Sequence, residues 1–280
     1  MGVVLGLVWS IWRYHPDESF RPFFRIVPRA SRWQLAQRRQ DLSSIWPQQR
    51  WPGSQFQRLR FPPCLFRLAI VLFLTSMSTT LILIAVTGLV SILCFTGTFH
   101  TNKLLLHPYS VWHRNQWYRM LSYGAVHSGW GHLFFNMLTL FFFGRVVEQY
   151  FQAAFGVELG IFLYVVLYVS AIAVSSIWDL FKYKEDCSYS AVGASGAVSA
   201  ILFASILFEP KMGIYIYLIP IPVPGYIFAP LYLLYCWYMA KRNMDNIGHS
   251  AHFWGAVYGL VFPLVCRPDI FRHFLSQLGL

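Results

Sequence analysis

From residue 77 onward the chain is a succession of apolar runs, near 79–98, 130–150, 157–178, 191–208, 225–240 and 249–266, each bounded by polar or proline-containing stretches. At 1.5 Å per residue, about twenty apolar residues in a helix cross the ~30 Å hydrocarbon layer of a bilayer. The pattern therefore predicts an all-α polytopic membrane protein with six spans. The second run carries Arg145 and Glu148 towards its end, so its helix outlasts its apolar part. The connection from about Phe99 to Ser128 is long and rich in Trp, Tyr, His and Arg, which predicts an amphipathic structure lying at the interface. The other connections are short, and Pro220, Pro222 and Pro224 break the chain before the fifth run.

Outside this body the pattern changes. Residues 1–76 mix Trp, Arg, Pro and Gln without sustained periodicity, and their apolar stretches, 2–12 and 64–75, are too short to span. They are expected to be a poorly ordered extension, or upstream translation preceding a start at Met77. Residues 1–20 lack a basic segment ahead of the apolar part and are not a clean signal peptide. The organisation expected is an extension (1–76), a six-helix domain (77–266) and a short tail (267–280).

Composition agrees with the membrane reading: 56% of residues are apolar, 12% are charged, and the mean hydropathy is +0.48. The net charge of +11 does not point to nucleic acid, because the excess sits before residue 70, at Arg13, Arg21, Arg25, Arg38, Arg39, Arg58 and Arg60. Such a segment ahead of a first span suits a cytoplasmic surface facing anionic lipid. The loops fit that topology less well, since Lys182, Lys184, Lys241 and Arg242 fall on the outer side. Cys64, Cys94, Cys187, Cys236 and Cys266 have neither paired spacing nor an even number, so no disulfide framework or zinc site is implied. Only Cys187 lies in a polar loop.

Six spans make the second, fourth and sixth helices enter from one face. His132 and Asn136 lie near the start of the second, Ser195 near the start of the fourth and His252 near the start of the sixth, all within roughly 10 Å of that face. His132 and Asn136, four apart, share a side of their helix. Polar side chains inside a span face the protein interior or a water-filled cavity. A hydroxyl, imidazoles and an amide at one depth suit acyl transfer, which needs a nucleophile, a base and donors for the developing oxyanion. Ser195 is then the nucleophile and His252 the general base. Asn136, His132 and the Ser195 amide hold the oxyanion. Gly193, Ala194, Gly196 and Ala197 allow close helix approach, with Gly255 and Gly259 as the matching small face.

These residues resemble the motifs of the rhomboid intramembrane serine proteases. Gly193-Ala194-Ser195-Gly196 matches the family's Gly-x-Ser-Gly, Ala251-His252-Phe253-Trp254-Gly255 its Ala-His-x-x-Gly, and His132 to Asn136 its His-x-x-x-Asn. Trp117-Tyr118-Arg119 is similar to its first-loop Trp-Arg with one residue inserted, and Gly144 and Glu148 match its Gly-x-x-x-Glu. The resemblance covers about 77–266. It implies a six-transmembrane-helix rhomboid-like bundle that cuts transmembrane segments of membrane proteins with a Ser–His dyad and no cofactor or metal. Substrate would enter past residues 225–247. The tract 245–255 is similar to bacterial members, which implies a bacterial inner (plasma) membrane. In several rhomboids an aromatic residue four positions after the serine stacks on the histidine; here that position is Ser199, and Tyr189 or Tyr258 is left to orient His252.

Taken singly, each motif reads more blandly, as a packing face or a structural histidine. The rival functions are a non-proteolytic rhomboid-like protein that binds client helices, a transporter, and a metal site formed by His127, His132, His249 and His252. The first normally lacks the serine or histidine, and the second has no inverted repeat behind it. The third has no carboxylate at His-Glu-x-x-His spacing. His127 and His249 are expected at the interface in structural roles, Arg145 and Glu148 to pair or to anchor their helix end, and Trp112, Trp117, Tyr118 and Trp130 to form an interfacial belt.

Overall fold

The computed structural model describes residues 78–216, 221–242 and 247–280. The arginine-rich start and the alternative start at Met77 lie outside these residues. Helix α1 spans Thr79–Phe95. Three short helices follow: α2 (Thr101–Leu104), α3 (Pro108–His113) and α4 (Arg119–Ser122), the last running into a 3-10 turn at Tyr123–Ala125. Then come α5 (Trp130–Phe155), α6 (Val157–Lys182), α7 (Ser195–Phe208), α8 (Gly225–Arg242), α9 (His249–Cys266) and α10 (Asp269–Leu278). A two-stranded antiparallel ribbon, β1 (Gly213–Ile214) with β2 (Val223–Pro224), precedes α8. The structure is mostly helical, and α1 and α5 to α9 fall on the six apolar runs.

Two of the described helices, α5 and α6, are long and apolar enough to cross a membrane; α1 and α7 are shorter apolar helices. Only Gly156 separates α5 from α6, and its φ of 84° is a left-handed conformation that a side chain would strain. The centre of the bundle is α7, in which every residue from Gly196 to Phe208 is buried. A helix apolar on all sides is stable only when surrounded. α9 lies against it at backbone contact. A Cβ on Gly255 would fall onto the Gly196 carbonyl, and one on Gly259 onto that of Ala200, so two glycines four apart let the backbones touch.

Three anchoring features differ from, or add to, the reading of the sequence. Glu148 does not pair with Arg145. Buried within α5, it accepts from the Thr79 and Thr80 amides at 2.7 and 3.1 Å and from the Thr80 hydroxyl at 2.7 Å. It thus caps the amino terminus of α1, where unpaired N–H groups and the helix dipole favour a carboxylate. Arg145 instead lies over the Phe141 ring at 5.8 Å. The segment expected to be a tail contains α10, with Ile270 buried and His273 Nε2 3.0 Å from the Phe208 carbonyl.

The first loop is built rather than loose. The buried Arg119 donates through Nε to Gln116 Oε1 (2.6 Å) and through Nη1 to the carbonyls of Asn102 (2.9 Å) and Leu105 (2.8 Å). One guanidinium therefore ties α2 and α4 together, its planar fork satisfying several acceptors at once. Trp112, Trp117, Tyr118 and Trp130 are exposed on this region.

Candidate active site

Leu106 and Ala191 exchange two backbone hydrogen bonds, N to O at 2.9 and 3.0 Å, and so zip the first loop to the segment that leads into α7. Beyond this bridge the chain turns at Gly193, whose φ of 120° lies in the left-handed half of backbone space that glycine adopts without penalty. The Gly193 amide donates to the Tyr123 carbonyl at 3.0 Å. Ser195 then opens α7, half-buried, at the helix end where backbone N–H groups point outward.

His132 closes this turn from α5. A Cβ on Gly193 would stand 2.6 Å from His132 Cε1 and 2.9 Å from Nε2, so glycine is also what lets the imidazole lie against the turn. Its Nδ1 accepts a long hydrogen bond from the Ser128 amide (3.5 Å) and lies 3.0 Å from Ser128 Oγ. An amide only donates, so Nδ1 is the acceptor and the proton sits on Nε2, the nitrogen facing the turn. Asn136, buried one turn further along α5, donates one Nδ2–H to the His132 carbonyl at 2.9 Å. A primary amide carries a second N–H.

His252 lies one turn into α9, half-buried. The backbone closeness of α7 and α9 brings its turn to the serine: a Cβ on Gly196 would meet the Ala251 carbonyl at 3.3 Å, and also the Ser175 side chain of α6. Tyr258 and Tyr189 engage other groups through their hydroxyls, at 2.8 Å from Ser170 Oγ and 3.0 Å from Asp179 Oδ2. Ser199, where an aromatic ring was looked for, bonds the Tyr232 hydroxyl of α8 at 3.2 Å. His249 packs edge to face on the His252 ring, with centroids 6.0 Å apart.

Both histidines expected at the interface are buried, with His127 2% and His249 4% exposed. His127 has a definite hydrogen-bond direction. The Ala194 amide donates to its Nε2 at 3.4 Å, so Nδ1 carries the proton, 2.9 Å from Ser91 Oγ; Ser91 in turn donates to the Ala125 carbonyl at 2.8 Å. This neutral imidazole ties the turn before Ser195 to α1. Burial first, and then the neighbouring His132, push its pKa down to about 3.

Asp179, near the end of α6, had not been singled out. It is buried and accepts from Ser250 Oγ at 2.6 Å and from the Tyr189 hydroxyl, joining the start of α9 to the loop before α7. A lone carboxylate just past an apolar run was the available signal. Cys236, read as a small hydrophobe, is fully buried on the inner face of α8, with its sulfur close to His249 and His252.

Residues 114–269 match the family profile described as the Rhomboid domain, more than half of the chain. Over 153 residues the chain is 27% identical to "RHOMBOID-like protein 12, mitochondrial" of Arabidopsis thaliana, an alignment covering 52% of this chain and 45% of the relative. The chain thus spans less than half the length of that relative.

Proposed function

The chain belongs to the rhomboid family, and from that premise we propose that it is an intramembrane serine endopeptidase: a six-span bundle that cuts transmembrane segments of other membrane proteins. The observation that carries this reading is the turn at Gly193 to Ser195. It lies between the His132 ring and the first turn of α9, where Gly196 approaches the carbonyl of Ala251, the neighbour of His252, and Ser195 stands at a helix amino terminus.

In this mechanism Ser195 Oγ attacks the scissile carbonyl as His252 takes its proton. The oxyanion forms at the start of α7, met by the Ser195 amide, the Nε2–H of His132 and the second N–H of Asn136. His252 then protonates the leaving amine, and water attacks the acyl-enzyme by the same route. Gly193, Gly196 and Gly255 shape the site by admitting the His132 ring and the α7–α9 approach. Neither cofactor nor metal takes part in these steps. The partners are transmembrane substrates and lipid. The protein is an integral membrane protein. The bacterial plasma membrane expected from tract 245–255 draws no support from the Arabidopsis relative, whose name assigns that relative to mitochondria.

The test is labelling of the detergent-purified protein with a serine-directed fluorophosphonate. Labelling that is lost in both Ser195→Ala and His252→Ala supports the dyad. A folded wild type that does not label overturns it in favour of a client-binding rhomboid-like protein.

A further inference from the structure

Three ligand-type side chains meet where α8 passes the start of α9. Cys236, His249 and His252 each offer one ligand atom, and the three atoms lie within 4.8 Å of one another. We propose that these residues bind a zinc-class divalent cation, and that the ion holds the enzyme in a reversibly inhibited state by occupying His252. The inhibitory half rests on the assignment of His252 as general base.

The donor set selects the ion. One thiolate and two imidazoles suit zinc and its borderline-soft neighbours, whereas magnesium and calcium require oxygen donors. His249 and His252 are three apart on α9 and so share a helix face. Cys236 comes from the facing helix, where it is one of three buried residues of α8. A tetrahedral site with Zn–S near ~2.3 Å and Zn–N near ~2.0 Å places ligand atoms about 3.5 Å apart, so closure requires a contraction of roughly 1 Å. Side-chain rotation supplies that. Three protein ligands leave a fourth position for water.

The surroundings suit such a site. Tyr235 packs edge-on to His249 at 5.5 Å and walls the imidazole. Tyr232, one turn before Cys236 on α8, is held by its hydroxyl against Ser199. Cys236 is 0% and His249 4% exposed, so two of the three ligands are sheltered from bulk solvent.

The consequence for chemistry follows from electron counting. Binding displaces the thiol proton: Cys–SH and M²⁺ give Cys–S–M⁺ and H⁺, so affinity rises with pH. A neutral imidazole has a single nitrogen lone pair, its other nitrogen bearing hydrogen. Once that pair is donated to the metal, His252 cannot accept the Ser195 proton, whichever nitrogen is bound. The ion also links α8 to α9.

The test uses the full chain in detergent, stripped with a chelator and titrated with Co²⁺. One equivalent should bind with a thiolate-to-cobalt charge-transfer band that Zn²⁺ displaces and Mg²⁺ does not. The band should vanish in Cys236→Ser, persist in Cys187→Ser, and require at least tenfold more cobalt in His249→Gln. Zn²⁺ should slow fluorophosphonate labelling of the wild type at least tenfold, reversibly by chelator. Cys236→Ser, compared with its own metal-free rate, should need at least tenfold more zinc. No charge-transfer band, or one that survives Cys236→Ser, overturns the site. A band with undiminished labelling overturns the inhibition alone. A band in wild-type protein that never labels, even metal-free, overturns the protease reading and leaves the metal site standing.

Discussion

α7 and α8 are both apolar helices beside the same candidate site, yet they are held in opposite ways. All but the first residue of α7 are buried, and its backbone touches that of α9 through Gly255 and Gly259. α8 buries only Gly225, Phe228 and Cys236, while Tyr226, Ile227, Leu231, Leu234, Tyr235, Trp237 and Tyr238 are exposed. In lipid no hydrophobic force drives helices together, so close van der Waals contact and buried hydrogen bonds decide which pairs are rigid. Ser195 and His252, the proposed nucleophile and base, sit on the rigid pair. The helix that the family resemblance assigns to substrate admission is attached by a few side chains and exposes large ones. An endopeptidase of the proposed kind needs sub-ångström geometry and must also admit a polypeptide, and this division would serve both.

The comparison breaks most completely at Gly259. Gly259→Leu drives a side chain into the Ala200 carbonyl, and neither helix backbone can yield. The expected result is loss of the folded protein, by more than about 4 kcal/mol, and of all probe labelling. Size-exclusion and thermal unfolding in detergent check this; a stable, labelling-competent variant would mean that α7 and α9 do not meet as described.

Acid attacks the turn that leads into the rigid pair, through His127. Its folded pKa, about 3, lies below the ordinary 6.5, so the unfolded chain takes up the proton first. The stability His127 contributes is therefore fully present above pH ~6.5 and is lost as pH falls towards 3, by about 1.4 kcal/mol per unit. Melting temperatures across that window should drop on acidification, and His127→Gln should flatten the slope attributable to this group.

On the looser helix the effects are smaller. Tyr232→Phe removes the contact with Ser199 and should cost about 0.5–1.5 kcal/mol, with labelling retained. Leu234→Ala, on the exposed face of α8, should stay within about 0.5 kcal/mol of wild type in the same unfolding assay. A large loss at Leu234 would show that α8 is packed as tightly as α7.

The candidate site was partly legible because its chemistry needs unusual residues close together in sequence. Ser195 stands between Gly193 and Gly196, and Gly255 follows His252 within one turn, so short motifs carry both the reactive group and the small residues around it. Asp179 was passed over because it lies one residue beyond the estimated end of the third apolar run. His127 and His249 were expected at the interface in structural roles, and a sequence position beside a helix start does not reveal that both side chains are buried. Glu148 and Arg145, three apart, suggested a pair, but α1 brought two amide donors and a hydroxyl that satisfy the carboxylate better than one cation.

What the sequence by itself determined is the sum of local rules: apolar runs set the helices, and Ser195, His252 and His132 each fall near a helix start, with Asn136 one turn beyond His132. Gly193 marked the turn before Ser195. What only the tertiary structure decided is rotation: which faces of α8 and α9 meet, and so that Cys236 joins His249 and His252, that Tyr232 reaches Ser199, and that His127 bridges Ser91 and Ala194. The physical reason is that a helix destined for lipid is apolar on its buried and exposed faces alike. The periodicity that fixes the rotation of a water-soluble helix is then largely erased, and orientation is left to contacts between residues far apart in the chain.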